Sequence, residues 1–268
     1  TLALFAYVAT VIVAHVDWTA ALAGVVVPRL GIGRQAATAL VAVLGTTISP
    51  YLFFWQSSQE VEDMKRRHHK ALHVAPREAG GELKRIRIDT LVGMGISNLI
   101  AVFIMVAVAA TLNAHGIRTI DTSVQAAQAL APIAGRFASA IFALGIIGTG
   151  LLALPVLAGS AAYAVCETFR WNTGLDRKPK AARAFYGVIA GATTIGLALA
   201  FSPIDPMKAL YWTAVVNGVL AAPLMAVMML IASNGRIMGR LVISWRLRVV
   251  GWSATAVMAA AALGLFVT

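Results

Sequence analysis

Gly45-Thr46-Thr47-Ile48-Ser49-Pro50-Tyr51-Leu52-Phe53-Phe54-Trp55-Gln56-Ser57-Ser58-Gln59-Glu60 decides how the rest of the chain is read. It opens inside an apolar run, Ala36 to Leu44, and closes on Glu60, Glu62 and Asp63, followed by Lys65, Arg66 and Arg67. A helix begun at Ala36 cannot pass smoothly through Ser49-Pro50. Proline has no N–H to give and its ring clashes with the preceding turn, and the residue before it is pushed out of the helical region. Proline is also a preferred first residue of a new helix, and serine a preferred N-cap. The residues therefore predict two half-helices meeting at Ser49-Pro50. Inside a bilayer, such a break exposes backbone groups that are tolerated only where they are buried in protein, line a cavity or bind something.

The bilayer is implied by composition. Of 268 residues, 59% are hydrophobic and 12% charged, against roughly 25% charged in a soluble domain. The mean hydropathy is +0.80. The apolar residues come in blocks of roughly 20, the length that spans a hydrocarbon core, with the charges between them. The fold class that follows is an all-α polytopic membrane protein, a single transmembrane domain over residues 1–268. Seven spans are expected, at about 1–16, 37–57 (broken at 49–50), 90–112, 136–165, 184–202, 208–232 and 246–267. The first is short, and the chain starts at Thr1 already within an apolar run, so an N-terminally truncated fragment is expected.

The net charge of +11 invites a nucleic-acid reading, but its distribution gives another. Loops 59–89, 166–183 and 233–248 hold eight, five and four of the 22 Lys and Arg, and the opposite side holds five. That asymmetry is the positive-inside pattern. It places those three loops in the cytoplasm, makes membrane lipid the partner rather than nucleic acid, and fits a multi-pass protein of the plasma (inner) membrane. The single cysteine, Cys166, excludes a disulfide framework and reads as a small buried residue. Gly145, Gly148, Gly150 and Pro155 predict a kink or tilt in the fourth span. Residues Ser123 to Ala131 read as a short surface helix, and Pro28, Gly31 and Gly33 as part of a link.

The break has a chemical reading. The outer half-helix ends near Thr46-Thr47 with carbonyls that lack intrahelical partners, at the negative pole of its dipole. A carbonyl-rich end at mid-membrane is a cation site, and hydroxyls from Thr46, Thr47 and Ser49 would add hard oxygen ligands. A Pro-kinked structural helix, with Ser49 acting only as an N-cap, is the other reading. All eleven Asp and Glu lie in loops or at span ends. A divalent ion held at mid-membrane without a carboxylate is expensive. Either no such ion binds, or its carboxylate lies in a segment missing from the N-terminus.

Other polar residues weigh less. His68, His69 and His73 sit among Lys65, Arg66, Arg67 and Lys70 and read as a solvated loop; His15 and His115, like Asp121, fall outside the span centres. Glu60, Glu62 and Asp63 could draw cations to the inner mouth, or simply neutralise the adjacent basic run. Asn98 and Asn217 either face a pathway or hydrogen-bond between helices. Tyr51, Trp55 and Gln56 share a face of the inner half-helix by spacing, and could line a permeation route. No paired His, carboxylate or Cys lies inside a span, so an enzyme is not expected, and no cofactor is implied.

Gly45 to Gln56 resembles the sixth transmembrane helix of NRAMP-type divalent metal transporters. Further stretches are similar to the same family. They are Ala14-His15-Val16-Asp17-Trp18, Gly150-Leu151-Leu152-Ala153-Leu154-Pro155-Val156-Leu157-Ala158-Gly159-Ser160, Asn217-Gly218-Val219-Leu220-Ala221-Ala222-Pro223 and Asn234-Gly235-Arg236-Ile237-Met238-Gly239. The resemblance implies a LeuT-like inverted-repeat transporter fold with helices one and six broken around a mid-membrane site. The chain would be the C-terminal part only, helices five to eleven. The metal-binding Asp and Asn of helix one would lie outside it. Metal-selective members read Met-Pro-His-Asn where this chain reads Ser49-Pro50-Tyr51-Leu52. Ser49 then stands in the place of the metal-binding Met, Thr46 where a backbone carbonyl ligates the ion, and Tyr51 and Gln56 in the places of two histidines linked to proton movement.

The resemblance thus implies a transporter of a divalent metal ion, Mn²⁺/Fe²⁺ or Mg²⁺, working by alternating access, with the ion as transported substrate. Thr46 and Ser49 are its expected metal ligands here, and Thr47, Tyr51, Gln56 and Asn217 its expected pathway residues. Losing the thioether removes a selector for transition metals, and losing both histidines removes the family's titratable groups. The competing expectation is a LeuT-fold secondary carrier for an amino acid or other organic solute.

Overall fold

The computed structural model describes residues 4–14, 16–26, 33–69, 72, 74, 76–113, 116–117, 120 and 122–267. His15, Pro28, Gly31, His73, His115 and Asp121, singled out above, lie outside the described residues. The described elements are helices, with no strand among them: α1 (Phe5–Val13), α2 (Trp18–Val26), α3 (Arg34–Thr47), α4 (Pro50–Arg66), α5 (Pro76–Thr111), α6 (Ser123–Gln128), α7 (Ala131–Ala134), α8 (Ala138–Thr168), α9 (Arg183–Ala200), α10 (Pro206–Ser233), α11 (Gly235–Met238) and α12 (Trp245–Val267). Among the described residues, six stretches are long and apolar enough to cross a membrane: Arg34–Arg66, Ala79–Thr111, Ala131–Thr168, Arg183–Ala200, Pro206–Ser233 and Trp245–Val267. α5, α8 and α9 leave most of their apolar side chains uncovered, among them Leu91, Leu144, Leu151 and Ile195. Water would make that arrangement unfavourable; hydrocarbon makes it ordinary. The protein is an integral, multi-pass membrane protein.

Local chemistry sets several helix ends. Asp205 caps α10 by accepting the Met207 N–H at 2.8 Å, with Pro206 in the first turn. Thr122 and Gln125 form a reciprocal capping box at the start of α6, which occupies Ser123–Gln128 of the surface helix expected over Ser123 to Ala131. α8 is one continuous helix with Pro155 inside it. The cluster of glycines with this proline therefore does not interrupt the helix. In a membrane helix, packing and local adjustment re-satisfy the carbonyl that proline leaves free.

The polar stretch read as a loop over 59–89 is corrected by the structure. α4 continues to Arg66 and α5 begins at Pro76. Charged residues need not end a helix that has left the bilayer, since water and neighbouring side chains accommodate them. Asp63 pairs with Arg67 at 3.1 Å and Arg66 at 3.8 Å, and Gln56 donates to Glu60 at 3.2 Å. Glu82 lies 3.7 Å from Arg67 and 3.6 Å from His69 Nδ1.

The chain divides into two compact units. One comprises residues 1–30 and 85–154, the other residues 31–84 and 155–268. The core of the first is Tyr7 and Val11 of α1, Ala107 of α5, Leu112, Ala129, Leu130 and Ala138. The second has two packed groups. In one, α3, α10 and α12 bury Val41, Ala42, Ala214 and Val215, and further along Ala221, Ala222 and Met258. In the other, Ala162, Tyr163 and Cys166 of α8 pack with Ala182 and Phe185. Cys166 is buried there as a small apolar residue. Small side chains dominate both groups, as close helix crossings require in a medium that gives helices no hydrophobic drive to associate.

Candidate functional site

α3 ends at Thr47 and α4 begins at Pro50. Ile48 (φ −116°, ψ 80°) and Ser49 (φ −96°, ψ 127°) carry the chain between them outside the helical region. Pro50 supplies no N–H, so the Thr46 carbonyl, its partner in an unbroken helix, loses its donor. The Leu44 carbonyl keeps the Ile48 N–H at 2.8 Å. The Gly45 carbonyl is taken by the Ser49 hydroxyl at 2.7 Å, while Thr46 O receives only a long 3.4 Å approach from the same hydroxyl. Ser49 is 2% exposed.

This arrangement changes the role expected of Ser49. It occupies the N-cap position of α4, but its side chain makes no capping bond. It donates backward to the Gly45 carbonyl of α3 instead, while the Leu52 N–H bonds the Ser49 carbonyl at 3.0 Å. The hydroxyls of Thr46 and Thr47 are not free either. Both donate to the Val43 carbonyl, at 2.8 and 2.7 Å. A hydroxyl that donates its proton to a carbonyl keeps its own lone pairs. The break therefore collects hydroxyl oxygens and an under-satisfied carbonyl with their acceptor capacity intact, at the negative end of a helix dipole. The positive first turn of α4 meets the same break, so the oxygens of α3 and not the dipoles alone set what it offers.

α10 fixes where this break sits. A Cβ on Gly45 would lie 2.0 Å from the Ala214 carbonyl oxygen and 2.5 Å from the Gly218 nitrogen. A Cβ on Gly218 would lie 2.4 Å from the Val41 carbonyl oxygen. Two glycines thus bring backbone against backbone immediately before the break. Asn217, adjacent to Gly218, is half-buried on the same helix. Asn98 is exposed and donates to Met94 O of its own helix at 2.9 Å.

The inner half-helix is anchored by side chains to which the sequence alone assigns other roles or none. The Trp55 ring covers Gly159 of α8 so closely that a Cβ there would lie 2.4 Å from Cζ3. Trp55 also meets Tyr163 edge-on at 6.1 Å between ring centroids. Trp55 is therefore a packing residue on α8, while Gln56 is exposed and Tyr51 half-buried. Glu62, one of three acids read as drawing cations to the inner mouth or neutralising the basic run, is 8% exposed. Its carboxylate accepts from the Tyr163 hydroxyl at 2.5 Å and the Leu175 N–H at 3.2 Å. Gln59 donates to Tyr163 Oη at 3.1 Å, and Ser58 to Glu167 at 3.2 Å. A polar cavity of about 240 Å³ adjoins them, lined in part by Lys65, Asp176 and Arg177. The available signal was two i, i+4 polar pairs, Ser58/Glu62 on α4 and Tyr163/Glu167 on α8, which suit facing helices.

This anchor makes a prediction. Tyr163→Phe would leave Glu62 buried with one of its two bonds, at a cost of about 1–3 kcal/mol. The thermal midpoint of the full-length protein in detergent should fall. Adding Glu62→Gln should cost less than the two single losses combined, because the pair acts together. Full additivity would mean the bond contributes nothing.

Among the described residues, no three His, Cys, Asp or Glu side chains are grouped to hold a metal. The break offers neutral oxygen alone.

Comparison with known proteins gives a consistent picture. The model of the family described as natural resistance-associated macrophage protein-like, Nramp, matches residues 1–268. A divalent metal cation transporter, MntH, of Deinococcus radiodurans is 25% identical over 250 residues, covering 92% of this chain and 52% of that protein. The MntH of Burkholderia ambifaria is 26% identical over 260 residues, covering 94% and 53%. That of Verminephrobacter eiseniae is 28% identical over 215 residues, covering 77% and 47%. The chain spans about half the length of the curated relatives it matches. Over that half, with an all-helical, LeuT-like architecture and transporters rather than enzymes as its kin, the chain belongs to the Nramp family.

Proposed function

We propose that this chain is the part of a divalent metal ion transporter that contributes the α3–α4 half of a mid-membrane ion site. The observation that carries the reading is the break itself. Pro50 strips the Thr46 carbonyl of its helical donor while the buried Ser49 hydroxyl sits beside it. Carbonyl and hydroxyl oxygens are the ligands hard divalent cations take. Thr46 and Ser49 would hold the transported ion, with Thr47, Tyr51, Gln56 and Asn217 along its route. The half-site brings no negative charge. The carboxylate that a dehydrated divalent ion requires would come from a segment outside residues 1–268, in keeping with relatives about twice as long. Alternating access then means exposing this break to each side in turn, with the basic segments 59–89, 166–183 and 233–248 in the cytoplasm of a plasma membrane protein.

Oxygen ligands without a thioether suit Mg²⁺ and Mn²⁺ more than softer ions. The test is Mn²⁺ and Mg²⁺ uptake into proteoliposomes by the full-length protein. Saturable uptake of at least one is expected, with each ion inhibiting the other. Uptake of neither would overturn the reading.

A further inference from the structure

The basic residues of this chain are not all neutralised alike. Around α4 and α5, Asp63 and Glu82 pair with Arg66 and Arg67. The segment 166–183 carries Glu167 and Asp176 among its bases. After Asp205 the chain has no acidic residue at all, yet it holds Arg236, Arg240, Arg246 and Arg248 at the corner joining α10 to α12. None of these four takes part in an ion pair among the described residues.

The corner is a defined structure. The Ile243 N–H donates to the Ala232 carbonyl at 3.2 Å and closes it. Asn234 caps α11 through the Arg236 N–H at 2.9 Å. Arg236, Arg240 and Arg246 are exposed, and the Arg248 side chain is partly buried. Two donors at this corner, Arg248 Nε and Ser233 Oγ, are buried and have no acceptor among the described residues. Buried donors are rarely left so, and both need an oxygen acceptor. Around them stand exposed apolar side chains: Trp245 at 74%, Leu247 at 60% and Ile237 at 53% exposure. Tryptophan beside arginine is the pairing of the membrane–water interface, where the ring sits at headgroup depth.

We infer that the α10–α12 corner binds the headgroup of an anionic phospholipid, with arginines on the phosphate and Trp245, Leu247 and Ile237 against the acyl boundary. Guanidinium forks match phosphate oxygens in pairs. Four like charges with no counter-charge of their own are matched by an anionic leaflet. A soluble anion would satisfy the arginines but leave the apolar side chains uncovered, so the lipid fits both features.

The experiment uses full-length protein in nanodiscs of phosphatidylcholine with increasing phosphatidylglycerol. Lipid retained after extraction is counted by native mass spectrometry. Wild type is expected to retain phosphatidylglycerol over phosphatidylcholine. R246Q/R248Q should weaken that preference roughly 25-fold, since each basic residue near an anionic leaflet contributes about fivefold. R246K/R248K, which keeps charge and loses the fork, should fall between. Lys208→Gln, at the opposite end of α10, should change nothing and controls for folding and net charge. Equal retention of the two lipids by wild type, or unchanged preference in R246Q/R248Q, would overturn the inference. So would full displacement of the lipid by millimolar inorganic phosphate, which would make this a free-anion site.

Discussion

Gly45→Ala is expected to cost the full-length protein about 3 kcal/mol of stability, the upper end of overpacking effects, and to abolish transport. The added methyl would stand 2.0 Å from a backbone oxygen and 2.5 Å from a backbone nitrogen of α10. Neither is a flexible side chain that can swing aside, so α3 and α10 must separate. Gly218→Ala should behave similarly, since its methyl meets the Val41 carbonyl oxygen at 2.4 Å. Because each glycine accommodates the other's helix, the double substitution should cost less than the two single costs combined. Gly187 and Gly196 of α9 have open space around the same position. Alanine there should be neutral, or favourable by up to about 1 kcal/mol through helix propensity. Thermal unfolding in detergent checks all five variants. Wild-type stability for Gly45→Ala would mean that α3 and α10 do not cross as described.

Pro50→Ala should leave the protein folded but lower uptake by roughly 100-fold. Alanine would return an N–H to the Thr46 carbonyl and remove the ring clash, which together disfavour a continuous helix by about 3 kcal/mol, and 1.4 kcal/mol is tenfold in a population. Healing the helix would draw Thr46 back into the backbone ladder and change the setting of the Ser49 hydroxyl, which now reaches back to Gly45. The readout is initial uptake rate in proteoliposomes, with size-exclusion profile and thermal midpoint confirming the fold. Wild-type uptake from a folded Pro50→Ala protein would make the proline a mere kink.

The break and the anchor differ in how far they could be read from sequence, and the difference is physical. Proline acts on its own neighbours, so a helix ending by Thr47 and another starting at Pro50 follow from four adjacent residues. The apolar blocks are equally local, since a bilayer imposes one length on each crossing helix. The backward donation of Ser49 is less visible. N-capping and bonding to a carbonyl four residues earlier are both open to serine, and the geometry of the turn decides between them. Glu62 was misread because charge alone places an acid in water, whereas its partner Tyr163 lies 101 residues away. The helical ends of the supposed loop 59–89 were missed for a related reason: polarity marks where a chain leaves the membrane, not where its helix stops. The contact of Gly45 with Gly218 is likewise long-range, and glycine in a helical run gives no sign of what it faces.

The central claim is that the α3–α4 break ligates the transported ion through Ser49. It is tested most directly by the ratio of Mn²⁺ to Mg²⁺ uptake in proteoliposomes, comparing full-length wild type with Ser49→Met and the smaller sulfur variant Ser49→Cys. A soft sulfur in place of a hard hydroxyl favours the transition metal. Both variants should therefore raise the ratio, by roughly tenfold if the sulfur adds about 1.4 kcal/mol of preference. An unchanged ratio in folded, transporting variants would contradict ligation by Ser49.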